Sequence, residues 1–313
     1  MEPKKRLLKW LFLHFNLNGY RNTKRFMSGI ITLTTDWGIG DPYAALFKAH
    51  VWRLCPQAVF ADISHNVRGA DKLHAAYLLN SACWAFPSGT VHVADVRCMS
   101  DDQQQMFLTG KKRFPFMDYI GVRCADQYFL MENNGILSLL ASESRTVDEV
   151  VHLTADPDFN SYNTFNALNH YVYAASRLAA GGSLSELGEP YPAEKLERVV
   201  LTENETTENS VKGHVQHIDA RGNLITDIRG EVLKRVADGR LKMRVSVGGC
   251  FERLNNVLLK KRYLYVPSGS FFAVVNTGGF VELGQKDSSL AAVLYGPDDL
   301  LSGIGDDVTL SFE

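Results

Sequence analysis

Residues 30–35, Ile-Ile-Thr-Leu-Thr-Thr, are a short β-branched run, and the turn-forming stretch 36–42 separates them from a helical-looking segment at 43–54. The same strand, loop, helix pattern recurs. Residues 58–63 are apolar, 64–70 are loop-like, and Asp71 stands as an N-cap before a stretch whose apolar positions include Ala75, Ala76, Leu78 and Leu79. A third strand is expected at 90–96 after the turn Phe86-Pro87-Ser88-Gly89, with further strands near 119–123 and 128–131. An Ala-rich helix at 171–180 stops at Gly181-Gly182. Strands alternating with helices imply an α/β domain with a largely parallel sheet.

Beyond the punctuation at Gly188-Glu189-Pro190-Tyr191-Pro192 the pattern changes. Short strands separated by glycine turns are expected at 211–218, 223–228, 241–247, 264–266, 271–275, 279–283 and 308–312, a spacing that suggests a small all-β barrel. The expected organisation is therefore a basic extension at 1–27, an α/β domain at 28–192, a polar linker at 193–210 and a barrel-like domain at 211–313. Met27 offers an alternative start that would omit the extension.

The chain has 313 residues, 45% hydrophobic and 22% charged, which excludes a disordered or fibrous class. A net charge of −2 supplies no field for a polyanion, so no nucleic-acid partner is expected. Residues 1–26 hold seven basic side chains against Glu2 alone, a local charge of +6 that leaves −8 for the remainder. The apolar stretch at 7–17 is interrupted by Lys9 and His14 and is shorter than the roughly 20 residues of a membrane span. No integral membrane segment is expected; at most this segment would lie on an anionic membrane surface. Five cysteines (Cys55, Cys83, Cys98, Cys124, Cys250) include no C-x-x-C pair, which fits a reducing cytoplasm. His65, His92 and His170 show no metal-ligand spacing, so no metal is expected, and Lys111-Lys112-Arg113 reads as a solvated run. Hydrolase-elbow, P-loop and dinucleotide fingerprints are absent from the chain.

Ligands of open parallel sheets sit beyond the carboxyl ends of the strands, which makes Asp36, Asp41 and Asp62 candidate binders of sugar hydroxyls. The competing role for each is a turn or cap.

Several strings follow one another along the chain: Thr32-Leu33-Thr34-Thr35-Asp36-Trp37-Gly38 with Asp41-Pro42-Tyr43, Asp62-Ile63-Ser64-His65 with Asp71, Phe86-Pro87-Ser88-Gly89-Thr90-Val91-His92, Glu132-Asn133-Asn134-Gly135, Thr164-Phe165-Asn166, Glu186-Leu187-Gly188, Asp219 with Gly222-Asn223-Leu224-Ile225-Thr226-Asp227-Ile228, and Asn276-Thr277-Gly278-Gly279-Phe280. Taken in this order they resemble the S-adenosylmethionine hydroxide adenosyltransferase family, to whose superfamily fluorinase and chlorinase belong. The resemblance implies a homotrimer whose ligand is S-adenosylmethionine, as substrate and with no separate cofactor. It implies that Asp36 accepts the ribose hydroxyls, with Asp41, Pro42 and Tyr43 lining the same region. Asn223 would meet the adenine edge, while Asp219 and Thr277 would hold the amino-acid end, with Asn276 in the same string.

The family's water-positioning Asp, Arg and His are not matched. Arg97 stands in place of the Asp, Gln104 in place of the Arg and Asn166 in place of the His, while Ala167 replaces the halogenases' halide-binding Ser. Asp95, two residues before Arg97, is a candidate substitute if the strand shifts register, and Asn166 is a second candidate catalytic residue. Two functions are consistent with this pattern: an enzyme cleaving S-adenosylmethionine to adenosine and L-methionine, and a sensor that binds the ligand without turnover.

Overall fold

The computed structural model describes residues 29–69, 71–97, 118–140, 145–154, 165–199, 204–248, 253–299 and 301–312. The chain divides into two compact units, Met1–Val199 and Val200–Glu313. The basic extension, Cys98, Gln104, Lys111-Lys112-Arg113, Thr164 and Cys250 lie outside the described residues.

The first unit is α/β. Its elements are β1 (Ile30–Thr35), α1 (Tyr43–Leu54), β2 (Val59–Ser64), α2 (Lys72–Ala82), β3 (Val91–Asp95), β4 (Tyr119–Cys124), β5 (Gln127–Glu132), α3 (Ile136–Leu140), β6 (Val147–Leu153), α4 (Asn166–Ala179) and β7 (Gly188–Pro190). The seven strands lie in the order β2-β1-β3-β5-β4-β6-β7. β2, β1, β3 and β5 are mutually parallel, and β4, β6 and β7 complete the sheet with antiparallel pairings. Parallel strands need crossovers, which bury both sheet faces and explain the apolar runs read from the sequence. One face packs Leu33, Val93 and Leu130 against Phe47 and Val51 of α1 and Leu168, Tyr171 and Ala175 of α4. The other packs Phe129, Met131 and Ile120 against Ala75, Ala76 and Leu79 of α2. Asp71 caps α2 as expected, its carboxylate accepting from the His74 amide at 2.8 Å.

β1 connects to β2 on one side, and the chain then returns across β1 to form β3 on the other. The winding therefore reverses between β1 and β3, and a crevice opens at their carboxyl ends. Asp36 and Asp95 stand at this point.

The second unit is a closed barrel of β8 (Ser210–Ile218), β9 (Leu224–Arg229), β10 (Lys242–Val247), β11 (Arg253–Leu259), β12 (Phe271–Val275), β13 (Phe280–Gln285) and β14 (Asp307–Ser311), with helices α5 (Gly230–Ala237) and α6 (Leu290–Tyr295). Closure comes from β14, which pairs with both β10 and β8 and so leaves no free edge. Val211, Val245, Val281, Leu283 and Leu310 fill the interior, and Leu233 of α5 packs into the same core. The strand expected at 264–266 is a 3₁₀ turn, Tyr263–Tyr265, and the seventh strand is β11 instead.

Candidate functional site

In the first unit the site is built at the reversal point. Thr35 is the last residue of β1 and pairs with Asp95, the last of β3; the register from Ile31/Val91 to Thr35/Asp95 runs without a bulge. Asp95 therefore reaches the carboxyl end with no slip of β3 against β1. Two residues on, the Arg97 amide donates to Asp36 Oδ2 at 3.2 Å, and the Asp36 amide donates to the Asp95 carbonyl at 3.4 Å. The two acidic residues are thus tied together by backbone as well as by position.

Trp37 follows Asp36 and turns back into the core, where its Nε1 donates to Asp95 Oδ2 at 2.6 Å. The turn depends on Gly38, whose φ of +79° is a conformation side-chain-bearing residues avoid and whose amide donates to the His65 carbonyl at 2.8 Å. A β-carbon on Gly38 would lie 3.2 Å from Asp41 Oδ2, so Asp41 folds back over this turn. Pro42 occupies the N-cap position of α1, and Tyr43 begins that helix. The Phe165 ring, just ahead of α4, sits 4.9 Å from Trp37 and 4.9 Å from Tyr43, which forms an aromatic wall beside the acidic crevice. Asp36, Asp41, Pro42 and Tyr43 all lie in the turn from β1 into the start of α1. Asn166 is the first residue of α4, and its side chain lies outside the described set. Asp62 is held by Lys48 Nζ at 2.6 Å.

Burial dominates the electrostatics of this crevice. It raises the Asp36 carboxyl above the usual carboxylate range, partly offset by the Arg97 amide and guanidinium. Burial also pushes Asp95 up to about 6, against the lowering effect of the Trp37 hydrogen bond and with a further rise from the Asp36 charge. Glu132, the last residue of β5, is pushed to about 8 by burial first and then by the charges of Asp95 and Asp36, with Arg97 opposing. The sequence-based argument missed Glu132, Trp37 and Phe165 as site residues. A carboxylate at the end of an apolar run was the available signal for Glu132.

The histidines have local roles. His92 bonds Thr32 Oγ1 at 2.7 Å and Gln127 Oε1 at 3.3 Å, and burial lowers it to about 4. His65 bonds Thr35 Oγ1 at 2.8 Å, and His170 stacks on Tyr119 at 3.8 Å. Among the described residues no group of three His, Cys, Asp or Glu is placed to hold a metal ion.

In the second unit, Asp219 shapes the β8–β9 turn. Its Oδ1 accepts from the Arg221 amide at 2.8 Å and the Asn223 amide at 2.9 Å. Asn223 Nδ2 donates to Asp219 Oδ2 at 3.1 Å and to Glu282 Oε1 at 3.0 Å. Tyr263 also donates its hydroxyl to Glu282 Oε1, and the Asn276 side chain bonds the same carboxylate. Burial and the Asp219 charge raise Glu282, while these donors oppose the rise. Asp219, Asn223 and Asn276 therefore converge, as a satisfied network around a carboxylate that the sequence-based argument did not single out. Both amide hydrogens of Asn223 are committed to carboxylates, which leaves its oxygen as the group for any further contact. Gly222, with φ of +77°, takes the left-handed turn position that Asn223 could have filled. Thr277 lies exposed in the β12–β13 turn.

Comparison with known proteins matches residues 31–188 to the family described as SAM hydroxide adenosyltransferase N-terminal domain and residues 213–297 to its C-terminal domain. An (R)-S-adenosyl-L-methionine hydrolase of Methanocaldococcus jannaschii is 22% identical over 82% of this chain and 88% of its own length. Proteins of the same name from Thermus thermophilus and Salinispora arenicola are 25% and 26% identical, over 83% and 85% of this chain and 93% and 95% of theirs. An uncharacterized conserved protein from Thermotoga maritima shares the fold, with a TM-score of 0.75 and 24% identity over 90% of this chain and all of its own.

Proposed function

Because the chain belongs to the SAM hydroxide adenosyltransferase family, we propose that it binds S-adenosylmethionine and cleaves it by attack of water at the ribose C5′ carbon, giving adenosine and L-methionine. The observation that carries this reading is the acidic crevice at the β1/β3 reversal point, where Asp36 and Asp95 stand beside the wall of Trp37, Phe165 and Tyr43. A carboxylate with two acceptor oxygens suits a pair of ribose hydroxyls, and an aromatic wall suits a nucleoside. Asp41, Pro42 and Tyr43 line the ribose region. In the second unit, Asp219 and Thr277 are assigned to the amino-acid end and Asn223, through its side-chain oxygen, to the adenine edge, with Asn276 in the same polar network.

The chemistry asks little of an acid. The oxygen–C5′ bond forms as the C5′–sulfur bond breaks, and sulfur leaves as a neutral thioether carrying the bonding pair. The protein's contribution is alignment and exclusion of bulk water. Asp95 is the candidate base for the proton released from water, and Asn166, the first residue of α4, is the second candidate catalytic residue. We further propose a homotrimer in a reducing cytoplasm, consistent with buried free thiols at Cys55, Cys83 and Cys124.

The test is incubation of the purified protein with S-adenosylmethionine, with and without chloride, with binding followed by calorimetry and products by chromatography, and light scattering for the assembly. Adenosine and methionine are expected, and Asp36→Ala should weaken binding at least about tenfold, the scale of a lost charge-assisted hydrogen bond. Unchanged binding and turnover in that variant would remove Asp36 from the site. A second reading, a sensor that binds without turnover, is favoured by Arg97 and Asn166 standing where the family's Asp and His are expected. Affinity without product would select it.

A further inference from the structure

β1, β3 and β5 are consecutive parallel strands, and their carboxyl ends carry Asp36, Asp95 and Glu132. Ala94 pairs with Met131, so Asp95 and Glu132 come next in register on strands about 4.8 Å apart. Val93 and Leu130, two residues earlier on each strand, pack in the core beneath α4, so Asp95 and Glu132 face the same way. Tyr119, which pairs with Glu132 on β4, stacks against His170 and meets Tyr171 edge-on at 5.5 Å, both on α4.

Glu132, Tyr171 and His170 each carry a buried polar atom in this layer without a hydrogen-bond partner. Glu132 is 2% exposed, and its Oε2 is buried and unpaired. Tyr171 is 0% exposed, and its hydroxyl is unpaired as well, although it feels the charges of Asp95 and Glu132. Buried polar groups left without a partner call for an explanation, and a bound polar ligand atom is one. Asp36, Asp95 and Glu132 cannot all ionise at such spacing with the Arg97 guanidinium as their opposing charge. The proton stays on the deepest of them: Glu132 titrates near 8 and Asp95 near 6, so at neutral pH one is an acid and the other a carboxylate.

We infer that Glu132 is a positioning residue for the cleavage reaction, holding its proton so that Asp95 stays the carboxylate that takes the proton from the attacking water. This rests on the proposed cleavage of S-adenosylmethionine. Water oxygen bonds to C5′, sulfur departs with the C5′–S electron pair, and the water proton passes to Asp95 and then to solvent. Glu132 remains a carboxylic acid throughout, with Tyr171 closing the floor of the site. The arrangement substitutes for the water-positioning residues that the chain does not carry at 97, 104 and 166.

The experiment measures adenosine formation from S-adenosylmethionine between pH 5 and 9.5 for wild type, Glu132→Gln, Glu132→Ala and Asp95→Asn. Binding heats are recorded in two buffers of different ionisation enthalpy. Wild-type kcat/KM should rise through an ionisation near 6 and fall through one near 8, since that parameter reports the groups of the free protein. Asp95→Asn should lose roughly 10²–10⁴-fold in kcat. Glu132→Gln, which cannot ionise, should lose the alkaline limb, and Glu132→Ala should lower kcat by up to about 10²-fold, the scale of a misplaced reacting group, with KM unmoved. An alkaline limb that persists in Glu132→Gln overturns the proposal, as does an unchanged kcat in Glu132→Ala. If wild type binds but makes no product at any pH, the cleavage reading fails by itself, and the proton on Glu132 is judged from the binding heats. Proton release on binding the sulfonium at pH 8 by wild type, absent from Glu132→Gln, supports a protonated Glu132; equal release overturns it. Failure to bind S-adenosylmethionine overturns both.

Discussion

Replacing Glu132 by Gln should convert a pH-dependent stability into a flatter one, and the size of the change follows from burial. A glutamate titrates near 4.5 in the unfolded chain and near 8 in the folded one. Between those values the unfolded state has released its proton and the folded state has not. The unfolded state therefore binds fewer protons, and stability falls as pH rises. Each pH unit in that window costs up to about 1.4 kcal/mol, so the accumulated loss by pH 8 is several kcal/mol, on the order of 5 as a ceiling. Below pH 4.5 both states are protonated and the cost disappears. Gln keeps the shape and a hydrogen-bond donor but has no proton to lose. Other groups confuse the wild-type curve alone, since Asp95 shifts in the same sense while His92 and His170 are lowered and slope the other way. The difference between variant and wild type removes them, apart from the coupling of Asp95 to Glu132. The assay is urea unfolding at intervals from pH 4.5 to 8.5 read by tryptophan fluorescence. All four tryptophans (Trp10, Trp37, Trp52, Trp84) fall in the first unit, so the signal reports that unit. Glu132→Gln should gain on wild type steadily as pH rises. Curves that stay parallel across this range would refute a buried protonated glutamate.

Two further outcomes are expected. His92 is buried and lowered to about 4 by desolvation, so its share of stability is intact above pH 6.5 and is lost towards pH 4 at up to about 1.4 kcal/mol per unit; its ring resonance in NMR should titrate near 4, and a midpoint near 6.5 would contradict the burial argument. Asn223→Asp replaces an amide that donates to both Asp219 and Glu282 with a third carboxylate. The barrel should lose about 2–4 kcal/mol at pH 8 and recover part of it as the solution is made more acidic and the carboxylates are neutralised; amide hydrogen exchange of β8 and β9 reads the stability of this unit, and a loss independent of pH would exclude charge repulsion.

Much of the α/β half of the fold was legible because its strands are bounded by turn residues and buried on both faces, although β6, β7 and α3 were not anticipated. Residues 30–35 and 58–63 stand out as apolar or β-branched runs between Gly, Pro and Asp clusters, and the capping aspartate at 71 marks a helix start that the structure bears out. The barrel was legible in outline and wrong in one strand. Arg253–Leu259 breaks its own alternation: Asn255 and Asn256 sit where the pairing with β10 shifts register, and Asn256 adopts φ of +58°. A bulge erases the period-two signal. The aromatic run at 263–266 imitates a strand, but its Tyr263 hydroxyl is drawn to the buried Glu282 and the backbone tightens into a turn. α5 was missed because it begins at Gly230 directly after β9, with no loop residues to announce it.

The positions of the candidate residues followed the same division. That Asp36 and Asp41 lie beyond the carboxyl end of β1 was legible because a turn after a parallel strand places polar residues there, a rule of local chain geometry. Glu132 was not, because its importance depends on which strand lies beside β5. Strand order is set by crossovers that span tens of residues, and β3 and β5 are brought together across the 98–117 segment and a reversal of chain direction at β4. Read along the chain, Glu132 belongs with Asn133 and Asn134 in a polar turn. Read across the sheet, it is the third carboxyl in a row with Asp36 and Asp95, and desolvation then forces one of the three to keep its proton. The chemistry proposed for this chain depends on that neighbour relation, so a substitution on β3 or β5 that leaves every motif intact but splays the two strand ends should impair it as much as loss of Asp95 itself.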